Sequence, residues 1–170
     1  AVRLLAGVNA RNGRYELALE LLADLLLRHS DNPDPIDSGV EEVVSAKLPE
    51  EVLRQFAKAA YTAPAEGKFA RHYVAALAAE QTDKRLLAIE HYRRTLDAKG
   101  DFFPAYQRLL ILYSQGDQKD EIKTLLERAQ KLDDQGFAYR YLLGLHKLRL
   151  GETADAIAAQ EQADDVLPNQ

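Results

Sequence analysis

Apolar residues recur along this chain at helical spacing, and no segment alternates with period two long enough to argue for a strand. Ala18, Val52, Ala88, Ile122 and Ala156 form one series, separated by 34, 36, 34 and 34 residues. Four residues further on stand Leu22, Phe56, Tyr92, Leu126 and Gln160, mostly large. Seven further on stand Leu25, Ala59, Thr95, Ala129 and Ala163, mostly small. Offsets of four and seven share one helical face. A small–large–small face predicts that neighbouring helices approach closely at the small positions.

A second series marks a different helix. Phe69, Phe103 and Phe137 lie 34 residues apart, as do Tyr73, Gln107 and Tyr141, and Ala70, Pro104 and Ala138. The two series, with the turn and stop signals between them, predict helix pairs at roughly 2–12 with 14–29, 37–46 with 49–61, 68–81 with 83–98, 103–115 with 118–132, and 137–149 with 152–166. The second pair is the irregular one. Pro33 and Pro35 act as stop signals before it, and Gly39 with two adjacent valines weakens its first helix, although Ser38 and Glu41 suit a capping box. Its second helix is sounder. Pro49 suits the first turn, Glu50 and Glu51 suit the positive end, and Val52, Phe56 and Ala59 form the stripe.

The 34-residue period resembles the tetratricopeptide repeat, whose first helix carries Leu-Gly and an aromatic and whose second carries Ala, an aromatic and a small residue before a closing Pro. The last repeat matches best, with Leu143-Gly144, Gly151, Ala156, Ala163 and Pro168-Asn169. The fourth supplies Tyr106, Leu109-Leu110, Tyr113, Gly116-Asp117, Ile122, Leu126 and Ala129. The third has Ala75-Ala76, Ala88, Tyr92 and Leu96, and the first has Leu5-Ala6, Gly13, Ala18, Leu22 and Leu25. Departures are the missing tryptophan, and Lys147 and Gln160 where the family has aromatics. The resemblance implies an all-α, right-handed superhelix of about five helix-turn-helix repeats in a single array, at roughly 1–32, 33–66, 67–101, 102–135 and 136–170.

Composition narrows the function. Of 170 residues, 46% are apolar and 29% charged, close to a folded soluble protein. The densest apolar stretch, Leu17 to Leu27, is broken by Glu20 and Asp24, so no membrane span is expected. A net charge of −5 disfavours a general nucleic-acid binder, which needs a basic surface. With no cysteine there is no disulfide framework, thiolate metal site or cysteine nucleophile, and the compartment stays open between cytosol and bacterial periplasm. The alanine-rich, cysteine-free composition leans towards a bacterial source. A start at Ala1 reads as a piece of something longer.

Candidate chemistry is sparse. His29, His72, His91 and His146 include no i, i+4 pair of the kind a helical zinc site uses, and read as surface or partly packed side chains. The pairs Glu41-Glu42, Glu50-Glu51 and Asp164-Asp165 diverge by about 100° on a helix and make poor acid–base dyads. Lys84-Arg85 and Arg93-Arg94 read as a wet face. No phosphate loop or nucleophile elbow is present. The expectation is a non-enzymatic protein with no metal and no cofactor.

In the resembled family the first helix of each repeat lines a concave groove that binds peptides. Carried onto this chain, the groove residues are Tyr73, Val74, Leu77 and Glu80 in the third repeat, Gln107, Arg108, Ile111 and Ser114 in the fourth, and Tyr141, Leu142, Leu145 and Leu148 in the fifth; Tyr73, Leu77, Gln107, Arg108, Ile111, Tyr141 and Leu145 are the partner-binding candidates among them. The competing reading makes this stripe core, covered by neighbouring helices. The basic carboxylate clamp of chaperone-binding members has no counterpart, Arg108 being the lone cation there. Three functions follow: a scaffold holding a peptide or helix in the groove, a self-association module, or the regulatory repeat region of a larger enzyme.

Overall fold

The computed structural model describes residues 2–132 and 136–164. These hold ten helices and no strand: α1 (Val2–Arg11), α2 (Tyr15–Arg28), α3 (Asp34–Ser45), α4 (Glu50–Thr62), α5 (Ala65–Gln81), α6 (Arg85–Ala98), α7 (Phe103–Gln115), α8 (Lys119–Ala129), α9 (Phe137–Arg149) and α10 (Thr153–Asp164). The five expected helix pairs are all present. Pro168-Asn169 and Asp165 lie outside the described residues.

Each turn within a pair holds one residue with positive φ: Gly13 (76°), Lys47 (67°), Asp83 (61°), Asp117 (49°) and Gly151 (79°). Their spacing repeats that of the Ala18 series, so the repeat is written in the backbone as well as in the side chains. In four of the five turns the amide just after this residue closes back on the helix. Arg14 N–H donates to Asn9 O (2.9 Å), Lys84 to Ala79 (2.8 Å), Gln118 to Tyr113 (3.0 Å) and Glu152 to Lys147 (3.0 Å). These are Schellman closures, which satisfy carbonyls that a helix end otherwise strands.

The chain forms two compact units that divide between Lys99 and Gly100. In the first unit, α5 packs against α2, α3, α4 and α6. Ten of its seventeen residues are buried. Ala75, Ala76, Ala78 and Ala79 are all 0% exposed, and their small side chains let helices close in from several sides. In the second unit α7 packs on α8 and α9, α8 on α9, and α9 on α10. At Gly144 α9 lies close against α10: a Cβ there would lie 3.3 Å from the Ala156 carbonyl and 3.5 Å from Ala159 Cβ.

The second helix pair departs from expectation in an instructive way. α3 is neither short nor irregular; it has twelve residues, with Pro33 at its N-cap and Pro35 in its first turn. Proline is tolerated there because the first N–H groups have no intrahelical partner. Ser38 therefore lies a turn inside the helix and caps nothing. Gly39 has a packing reason, since a Cβ there would collide with Leu22 of α2. α3 packs on α1, α2 and α5, while α4 packs on α5 and α2. The buried face of α4 is accordingly turned: Leu53, Phe56, Ala57 and Ala60 are inside, and Ala59 is exposed. Of the expected stripe of Val52, Phe56 and Ala59, only Phe56 is buried.

Candidate interaction surface

The seven partner-binding candidates separate into two groups. Tyr73 and Leu77 are 1% and 0% exposed, in the core of the first unit. The surrounding helices leave α5 no open face there. Tyr73 packs its ring 5.7 Å from that of Tyr92, and its hydroxyl donates to Asp37 at 3.5 Å. These two residues are packing residues, as the competing reading of the stripe had it.

The other five lie in the second unit, and all are half-buried: Gln107, Arg108 and Ile111 on α7, and Tyr141 and Leu145 on α9. The two helices are neighbours. Phe103, at the start of α7, stands edge-on to Tyr141, with ring centroids 5.5 Å apart and planes at 69°. Phe137 joins them at 6.4 Å from Phe103 and 6.0 Å from Tyr141. The result is a cluster of three partly open rings. Leu148, one helical turn beyond Leu145, is 56% exposed and extends the apolar strip. Phe103 and Phe137 belong to the 34-residue series but were not assigned to the surface; their place at the head of each first helix was the available signal.

Beneath this surface the unit is firmly packed. Leu109, Leu110 and Leu142 are at most 1% exposed. Tyr106 donates its hydroxyl to the Gly100 carbonyl at 2.9 Å, and burial pushes its pKa up. Lys147, where the resembled family has an aromatic, ties α9 to the start of α10 through Glu152 (2.9 Å) and Asp155 (3.1 Å). Those hydrogen bonds, Glu152 first, hold its ammonium above the usual lysine range. His146 nearby is held below the usual histidine range, chiefly by burial.

The charged pairs elsewhere are structural. Lys84 reaches Glu50 at 3.0 Å, and Glu51 accepts hydrogen bonds from Arg54 and Gln55 within α4. Among the described residues, no cluster of three or more His, Asp or Glu side chains could hold a metal ion. Among them, too, no helix is long and apolar enough to cross a membrane. Two histidines had been misread. His72 and His91 are not surface residues; each is 1% exposed and they face each other across α5 and α6.

No family model matches the chain, and no curated protein sequence matches it. Solved structures do. Two crystal structures of MamA align at 18% identity with a TM-score of 0.51, covering 92% and 96% of this chain and 91% of each of those. A putative kinesin light chain from Podosopora anserina with nearly identical tetratricopeptide-like repeats aligns at 18% identity and a TM-score of 0.54, over 96% of this chain and 92% of that one. The fold is thus an all-α repeat fold of the tetratricopeptide-like kind.

Proposed function

We propose that this chain is a protein-interaction scaffold and that the face shared by α7 and α9 holds a peptide or helix of its partner. The observation that carries this reading is the half-open apolar strip of Ile111, Tyr141 and Leu145 on two adjacent first helices. Tyrosine offers broad contact area with few rotatable bonds, and exposed aromatic and aliphatic patches mark interaction sites. Gln107 and Arg108 border the strip with hydrogen-bonding groups that can set the direction of a bound backbone. The tetratricopeptide-like fold supports a protein partner, and the net charge of −5 speaks against a nucleic-acid one. No catalytic group is needed for this role.

The test is selection of binding peptides from a displayed library against the whole chain. Leu145→Asp should abolish their binding, whereas Leu86→Asp, at an exposed leucine of the first unit, should leave it intact. Equal binding to both variants would place the working surface elsewhere.

A second reading, self-association, rests on a separate feature. α1 leaves Leu4, Leu5 and Val8 at 59%, 50% and 45% exposure, a contiguous apolar strip on one helix. Light scattering on the purified chain decides it: a monomer at high protein concentration removes this reading and leaves the first untouched.

A further inference from the structure

His72 on α5 and His91 on α6 bring their Nδ1 atoms to 2.9 Å. A hydrogen bond between two imidazole nitrogens needs one N–H and one lone pair. The second ring nitrogen of His72, Nε2, is buried and has no hydrogen-bond partner among the described residues. Stranding an N–H is the costlier way to leave such an atom. The tautomer that avoids it places the proton on Nδ1 of His72, which donates to Nδ1 of His91. Both rings are then neutral.

A further proton has no good place to go. On Nε2 of His72 it makes a buried imidazolium whose N–H meets no acceptor. On Nδ1 of His91 it occupies the lone pair that accepts the hydrogen bond, and two N–H groups then point at each other. The first buries an unsatisfied charge and the second breaks the bond between the rings, so either way the closed pair is disfavoured.

The surroundings decide what moves when it does. Tyr61, in the last turn of α4, stands edge-on to both rings, 5.1 Å from His72 at 81° and 5.4 Å from His91 at 69°. Its hydroxyl donates to Glu90, and the Arg94 guanidinium lies 5.6 Å over its ring. Tyr61 packs on both rings and is itself 37% exposed. Lys68 of α5 and Arg94 of α6 add positive charge near the pair, and Glu90 opposes them. On the α2 side Glu20 is engaged by Arg71, and on the α3 side Asp37 accepts from the Tyr73 hydroxyl.

We propose that the His72–His91 pair is an acid-operated latch, in which proton uptake disfavours the buried pair, displaces Tyr61 and frees the end of α4 from the α5–α6 hairpin. Burial first, then the neighbouring His91, Lys68 and Arg94, hold His72 down at about 4, and burial lowers His91 as well. Both folded values lie below the ordinary 6.5, so the closed form binds fewer protons than the opened one. The latch is fully engaged above pH 6.5 and is lost as pH falls towards 4.

Hydrogen exchange on the whole chain at pH 7 and pH 5, corrected for intrinsic exchange rates, tests this together with an NMR titration of the histidine rings. Protection of the α4 amides should fall roughly tenfold or more at the lower pH, with much less change in α1 and α2. The two rings should stay neutral until α4 opens. In the double variant His72→Phe, His91→Phe, α4 protection should no longer respond to pH over this interval. Rings that titrate near the ordinary value while α4 stays protected would overturn the latch. So would an equal loss of protection in α1, α2 and α4, or the same α4 response in the double variant. If that variant does not fold, the ring titration and the contrast between helices in the unaltered chain decide by themselves.

Discussion

Phe103 and Tyr141 meet edge to face, 5.5 Å between ring centroids, although they belong to successive repeats. Phe103 begins α7, and Tyr141 lies one turn into α9. The contact therefore joins the head of one first helix to the second turn of the next. Phe103 and Phe137 both pack against the Tyr141 ring, which is half-buried. A ring held in this way loses little freedom when a partner docks.

The core of the second unit makes the first prediction. Leu109 is 1% exposed on α7. Leu109→Ala should cost roughly 2–5 kcal/mol, as truncation of a buried leucine does. Chemical denaturation measures it, and a loss below about 0.5 kcal/mol would mean that the α7 side chain does not pack as described.

Small residues give a prediction of opposite kind. Ala88 is 0% exposed on α6, whose main neighbour is α5. Ala88→Leu should destabilise the chain by about 1–3 kcal/mol, because the added carbons have nowhere to go. A neutral result in the same titration would show open space at that position.

The five positive-φ turns predict a gain. Lys47 holds a φ of 67°, where the equivalent positions 13 and 151 carry glycine. Left-handed backbone costs a side chain about 1–2 kcal/mol, and glycine loses part of that advantage through its extra freedom when unfolded. Lys47→Gly should therefore raise stability by about 0.5–1 kcal/mol, and Gly151→Ala should lower it. Thermal unfolding of the two variants checks both signs.

Much of the fold was legible because each repeat carries its own copy of the pattern. The Ala18 series marked all five second helices and the Phe69 series the last three first helices, most of them to within a few residues. What failed was the choice of neighbour. The repeat pattern put Val52 and Ala59 on the packing face of α4, but Leu53 and Ala57 are buried instead, and no local pattern states which helix a face will meet. Tyr73 and Tyr141 occupy the same repeat position, yet one is core and the other half-open. The difference lies in how many helices surround α5, which is a tertiary fact. The histidine pair escaped for a related reason. Metal-site spacing is a property of one helix, whereas His72 and His91 meet across a hairpin.

That the α7–α9 face holds the partner is tested most directly by one substitution read in two ways. Tyr141→Ala is compared with the unaltered chain for affinity to a selected peptide, by calorimetry, and for unfolding free energy in the same buffer. The surface proposed here predicts an affinity loss of on the order of 1–2 kcal/mol, about tenfold, with stability nearly unchanged. Tyr73→Ala, by contrast, should destabilise the fold by roughly 3–5 kcal/mol, as removal of a buried aromatic does. If Tyr141→Ala leaves the peptide bound as tightly as before, or unfolds the chain as Tyr73→Ala does, the ring is not an anchor and the proposed surface is wrong.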